Sequence, residues 1–102
     1  MNRGEVWWVD APGGRRPHLI LTRTSAIPSL ERVLTVPATT TIRGIRTEVA
    51  LDRSDGMPRE CALTLDNLST SRKSHFVERI CELSAIRMRE VCTALNAAVA
   101  CS

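Results

Sequence analysis

The sequence predicts a mainly β fold finished by one C-terminal helix, an α+β small antiparallel barrel or curled sheet. Short runs rich in β-branched and aromatic residues recur from residue 5 to residue 83. Proline, glycine and Asp-Gly signals break them apart. Only the final stretch changes its apolar period from that of a strand to that of a helix.

Glu5–Asp10 holds Val6, Trp7, Trp8 and Val9 and stops at Pro12-Gly13-Gly14, so it reads as a strand and a turn. Pro17–Arg23 is the second strand, entered through a residue that Pro17 biases toward extended backbone. Residues 25–30, with Pro28, read as a loop, and Arg32–Ala38 as the third strand. Arg46–Leu51 alternates and makes the fourth, followed by a turn over 52–59 around Asp55-Gly56 and Pro58. Glu60–Leu65 is the fifth strand, 68–75 a polar connection with one helical turn, and Phe76–Leu83 the sixth strand. Ser84 then offers an N-cap, with Leu83 and Met88 placed for a hydrophobic staple. Met88, Val91, Cys92, Leu95, Ala98 and Val99 fall on one helical face.

A length of 102 residues predicts one domain over 1–102. With 43% hydrophobic and 25% charged residues the chain has the composition of an ordered globular protein. No apolar run approaches the roughly 18 residues of a membrane span. The N-terminus leads straight into a strand pattern without a signal-peptide core, so a cytoplasmic location is expected. Residues 1–59 carry nine Arg against six Asp/Glu, a net of +3, and residues 60–102 carry five basic against five acidic, a net of zero. Thirteen of the fourteen basic residues are arginine, whose planar fork suits phosphate. Cys61, Cys81, Cys92 and Cys101 show no zinc spacing. Cys61 and Cys81 read as strand core, Cys92 as part of the apolar helix face, and Cys101 as the exposed thiol.

Chemistry concentrates in two segments. Gly13-Gly14-Arg15-Arg16-Pro17 joins a turn that lets a ligand come close to an arginine held by the following proline. By strand alternation one of Arg15 and Arg16 faces a groove and the other solvent. Thr39, Thr40 and Thr41 end the third strand with hydroxyls able to donate to a phosphate oxygen as charge builds on it. Arg43 and Arg46 come next and add attraction for a polyanion. His18 shares the Arg16 face and reads either as a proton shuttle or as a buried strand histidine. The carboxylates Glu5, Asp10, Glu31, Glu48 and Asp52 show no spacing for two-metal chemistry. RNA supplies its own nucleophile, the 2′-hydroxyl, so an arginine and a hydroxyl suffice to orient its attack and stabilise the phosphorane.

These segments resemble the MazF/PemK-type toxins of bacterial toxin–antitoxin systems. Gly4-Glu5-Val6-Trp7-Trp8-Val9-Asp10 is similar to that family's opening strand, and Arg16-Pro17-His18-Leu19-Ile20-Leu21 to its RP-plus-apolar strand. Val36-Pro37-Ala38-Thr39-Thr40 resembles its P-x-T motif, and Leu65-Asp66-Asn67-Leu68 its DQ/DN segment. The resemblance implies an SH3-like barrel, a homodimer, and sequence-selective cleavage of single-stranded RNA without a metal or other cofactor. The implied products are a 2′,3′-cyclic phosphate and a 5′-hydroxyl. Arg16 and Thr39 take the catalytic roles, with Arg15, His18, Thr40, Arg43, Arg46 and Asn67 as RNA-binding residues. The implied partner is a small antitoxin with an acidic, flexible tail. The connection Ala11–Arg15 is shorter than in many members, which opens the site to a structured RNA, and His18 replaces an apolar residue.

Two other classes compete. A gyrase poison of the CcdB type shares the fold but depends on an aromatic-containing C-terminal tripeptide, whereas this chain ends Ala100-Cys101-Ser102. A non-catalytic RNA-binding or dimerisation module needs stacking platforms, and only Trp7, Trp8 and Phe76 are aromatic.

Overall fold

The tight turn at Pro12-Gly13 starts the sheet. The computed structural model describes residues 1–100, so Cys101 lies outside the described residues. Gly13 and Gly14 take φ of 98° and 119°, a backbone that side chains resist, and this closes β1 (Glu5–Ala11) onto β2 (Gly14–Ile20). Strand β2 therefore begins three residues before the alternation at Pro17 predicts, because the turn rather than the apolar pattern sets its start. Strand β3 (Arg32–Thr39) pairs with β2, and β4 (Glu48–Leu51) with β5 (Cys61–Thr64). β5 also pairs with the end of β3 through Ala38↔Leu63 and Thr39↔Ala62. β6 (Ser69–Arg72) pairs with the start of β3, and β7 (Phe76–Glu82) with β1.

All ladders are antiparallel, in the order β4-β5-β3-β2-β1-β7. β3 changes partners along its length, from β6 to β5, and the β1–β7 ladder shifts register twice. Such irregularities coil a sheet. The result is the small barrel-like fold expected, curled but open, since no ladder joins β4 to β7 among the described residues. No helix there is long and apolar enough to cross a membrane. Strand β6 lies where a polar connection was predicted. Its Ser-Thr-Ser-Arg sequence has no apolar alternation to read, because backbone pairing alone makes it a strand.

The concave face buries Val6, Leu19, Val36, Leu51, Leu63 and Leu65 under Val91 and Ala94 of α1 (Ala85–Val99). Ser84 caps α1 as predicted, its Oγ accepting the Arg87 N–H at 3.1 Å, and Leu83 and Met88 pack into the same core. The buried stripe runs through Val91, Ala94, Leu95 and Ala98, which leaves Cys92 exposed and corrects its predicted place on the core face. On the opposite face Ile20, Ile27 and Val33 form a second cluster, against which Trp7 meets Phe76 edge-on, ring centres 6.1 Å apart.

A 3₁₀ turn at Arg53–Asp55 ties the sheet to the helix. Asp52 and Asp55 cap it reciprocally, and Asp55 Oδ1 accepts from Arg87 Nε of α1 at 2.9 Å. Gly56 ends the turn at φ 95°, where a Cβ would lie 2.7 Å from Cys81 Cβ. Gly13 is equally left-handed but has nothing within 4 Å. Gly56→Ala is therefore expected to cost about 3 kcal/mol, strain plus overpacking, against about 1 kcal/mol for Gly13→Ala. Urea unfolding of both variants checks this, and equal losses would refute the packing argument.

Candidate active site

The β2–β3 ladder runs Ile20↔Thr35, Leu19↔Val36, His18↔Pro37. The ladder ends there; its register, carried two residues further, would set Arg16 opposite Thr39, and both residues border the same two hollows. The two residues form a ridge between two hollows. The larger, ≈ 500 Å³, lies against Trp8, Arg15, Pro17, Thr40, Met57 and Arg59. The smaller, ≈ 400 Å³, lies against Pro37, Arg43, Thr64, Asp66 and Asn67. Arg16, Ala38, Thr39 and Thr41 border both.

Arg15 and Arg16 do not divide between groove and solvent as alternation predicts, because the larger hollow wraps the end of β2 and takes in both. Their difference is electrostatic. Arg15 Nε donates to Asp10 Oδ1 at 2.9 Å across the hairpin. Arg16 has no carboxylate partner among the described residues. Thr39 is set by its own turn: its Oγ1 accepts the Thr41 N–H at 3.1 Å, which leaves the hydroxyl hydrogen to donate elsewhere. A cation and a directed hydroxyl on one ridge can clamp a phosphate from two sides.

The loop after β3 is held from behind by Glu48. One carboxylate oxygen accepts the N–H groups of Arg43 and Gly44, each at 3.0 Å, and the other accepts Arg43 Nε at 3.2 Å. The Glu48 side chain is only 3% exposed. Burial works against its charge, but these hydrogen bonds and the Arg43 cation outweigh it and hold the carboxyl below its ordinary range. Arg43 is thereby fixed at the rim of the smaller hollow. Asn67 is positioned by donating to Thr64 Oγ1 at 3.4 Å, and Asp66 by accepting from Thr47 Oγ1 at 2.6 Å.

Two expected site residues lie elsewhere. Arg46 borders a separate groove beside α1. His18 borders neither hollow; it is 7% exposed, and its Nδ1 sits 3.1 Å from Thr35 Oγ1, itself 2.9 Å from Ser71 Oγ. Of its two sequence readings, the buried strand histidine is the one observed. It cross-links β2, β3 and β6 because its strand face is covered at that point. Conversely, Trp8, Met57 and Arg59 line the larger hollow and Glu48 braces the loop beside the smaller one, positions that sequence context announces only for Trp8, which alternation sends to the face opposite Trp7. No three His, Cys, Asp or Glu side chains among the described residues converge as a metal site.

Burial first, and the Arg16 charge second, push the His18 pKa down. A folded-state pKa below the unfolded one gives stability that is complete above the unfolded value of about 6.5 and is lost as pH falls through the folded value. Wild type should therefore lose stability between about pH 7.5 and pH 5 more steeply than His18→Gln in urea titrations. Parallel curves would show that His18 is not held neutral.

Residues 2–99 match the model of the PemK-like, MazF-like toxins of type II toxin–antitoxin systems. The chain is 50% identical over 102 residues to a probable endoribonuclease, MazF5, of Mycobacterium tuberculosis, covering 98% of this chain and 94% of that protein. It is 37% identical to a second, MazF2, covering 99% and 100%. Among solved structures it is similar to the M. tuberculosis toxin MazF-mt6, with TM-score 0.90 and 30% identity over 96% of this chain and 98% of the other. A mycobacterial endoribonuclease in complex with its cognate antitoxin gives 0.92 and 29%, covering 100% and 97%. The family match over residues 2–99, with relatives 50% and 37% identical along nearly the whole chain, shows that this chain belongs to the PemK/MazF toxin family.

Proposed function

We propose that this chain is an endoribonuclease toxin that cleaves single-stranded RNA at the Arg16–Thr39 ridge and is neutralised by an antitoxin. The observation that carries the reading is an Arg16 guanidinium without a carboxylate partner among the described residues, bordering the same two hollows as a Thr39 hydroxyl whose hydrogen is free to donate. The endoribonuclease relatives and the antitoxin-bound structure support it.

In this reading the scissile phosphate sits on the ridge. Arg16 clamps a non-bridging oxygen and Thr39 donates to the same phosphate, both gaining strength as the phosphorane accumulates charge. The 2′-oxygen bonds to phosphorus as its proton passes to water, the bond from phosphorus to the 5′-oxygen breaks, and that oxygen takes a proton from water. The products are a 2′,3′-cyclic phosphate and a 5′-hydroxyl. Water and groups of the chain and the RNA serve every step, so the reaction as proposed requires no metal. The flanking nucleotides enter the two hollows, one past Arg15 and Thr40, the other past Arg43 and Asn67, which makes cleavage sequence-selective. Residues 1–102 act as one domain within a homodimer, and the acidic tail of the antitoxin covers the same cationic ridge.

Incubation with single-stranded RNAs in excess chelator, followed by mapping of the 5′ ends, tests the proposal. Arg16→Ala and Thr39→Ala are each expected to lower the rate by about 10²–10³-fold, the usual cost of removing one transition-state donor. A 2′-deoxy substitution at the cleaved nucleotide should abolish the reaction. Absence of cleavage, a metal requirement, or normal cleavage by Arg16→Ala would overturn the reading.

A further inference from the structure

Three sulfur side chains that the cleavage reading does not use gather beside the larger hollow. We propose that Met57, Cys61 and Cys81 form a binding site for one soft univalent metal ion, Cu(I). Cys61 opens β5 opposite Leu51, Cys81 lies on β7 opposite Val6, and Met57 follows the turn that leaves β4. Left-handed Gly56 lets that turn press against β7, a Cβ at Gly56 being only 3.5 Å from Cys81 Sγ. Met57 Sδ thereby sits 3.7 Å from Cys81 Sγ. Met57 and Cys61 belong to the core against which Cys81 packs, and both border the hollow, which gives an ion its way in.

The donor set selects the ion. A metal–sulfur bond of roughly 2.3 Å puts the sulfurs of a trigonal site about 4 Å apart, close to the 3.7 Å between Cys81 and Met57. Thiolate and thioether are soft ligands that suit Cu(I). Structural zinc takes four ligands, and no His, Asp or Glu joins the two thiols as a third among the described residues. Burial first and the Asp55 carboxylate second push both thiols up, so they keep their protons in the free protein. Asp55 is paired with Arg87, yet its charge reaches both sulfurs, and the field that disfavours a thiolate favours a cation. On binding, each S–H bond breaks, its proton passes to water, and the sulfur bonds the ion. Met57 Sδ supplies a lone pair, and nothing is oxidised or reduced. Cys92 stands apart on α1, with Arg3 Nη2 3.7 Å from its sulfur, a neighbour that repels a cation.

This inference goes beyond the cleavage reading, and a failure to cleave RNA would leave it standing. Its test is an anaerobic titration of the full chain with Cu(I) in competition with the chromogenic chelator bicinchoninate. Cys92→Ser with Cys101→Ser first removes the thiols outside the cluster. The protein should then withdraw one equivalent of Cu(I) from the chelator, and X-ray absorption should find three sulfur neighbours around the ion. Met57→Leu should weaken binding by at least the roughly tenfold that losing a supporting group costs a metal site. Leucine conserves the volume of methionine, so this variant is expected to fold, with unchanged melting of the metal-free protein as the control. Cys81→Ser, at a partly buried position, should abolish the competition. The proposal is overturned if no Cu(I) leaves the chelator, if the ion has only two sulfur neighbours, or if Met57→Leu binds as tightly. Displacement of Cu(I) by equimolar Zn(II) would overturn it as well.

Discussion

The β2–β3 ladder is the constraint on which the rest of this molecule depends. A slip of one residue would move every side chain of β2 to the other face. In the observed register Leu19 faces Val36 inside the core, while Arg16 and Thr39 lie beyond the last pair, His18↔Pro37. Alternation puts Arg16 on the face of His18 and Ile20, which are buried; Arg16 is exposed because it lies past the end of that ladder. His18 ties the strands together through Thr35 and Ser71, and burial disfavours its charged form.

Electrostatic pairing then decides which arginines are available. Arg15 is held by Asp10, Arg43 by Glu48, Arg79 by Glu5 and Arg87 by Asp55. Of these only Arg15–Asp10 is exposed on both sides, where an ion pair contributes little to stability. The effect of all four is on the distribution of charge: they fix side chains in place and leave Arg16 without a carboxylate partner among the described residues. Glu48 does both at once, since it anchors the loop bearing Arg43 from the side of the sheet away from the ridge. A carboxylate that touches neither hollow thereby shapes one of them.

The core strands and the helix were legible because their side chains carry the periods of the elements they form. Val6 and Val9, Leu19 and Leu21, Val36 and Ala38 alternate or cluster as buried strands do, and Ser84 announces the helix. Strand β6 was not legible, because its partner is chosen by backbone hydrogen bonds from β3 and its short polar sequence carries no apolar alternation. Of the site, Arg16 and Thr39 stood out by the company they keep in sequence. Met57 and Arg59 did not, since nothing in a turn sequence states which surface it will approach.

By itself the sequence determined the features set by local chemistry: the order of strands, the capped terminal helix, the turn at Pro12-Gly13, and an arginine–proline step and a threonine row at two strand ends. It also determined the family, because those motifs keep their order along the chain. Tertiary structure alone decided that Arg15 and Arg16 share one hollow, that His18 is interior, that Cys92 is exposed, and that Arg46 belongs to the groove beside α1. The physical reason is common to all four. Alternation and helical period say which side chains share a face, but whether that face meets solvent, a groove or another strand depends on how the sheet coils, and that is fixed by partners distant in sequence.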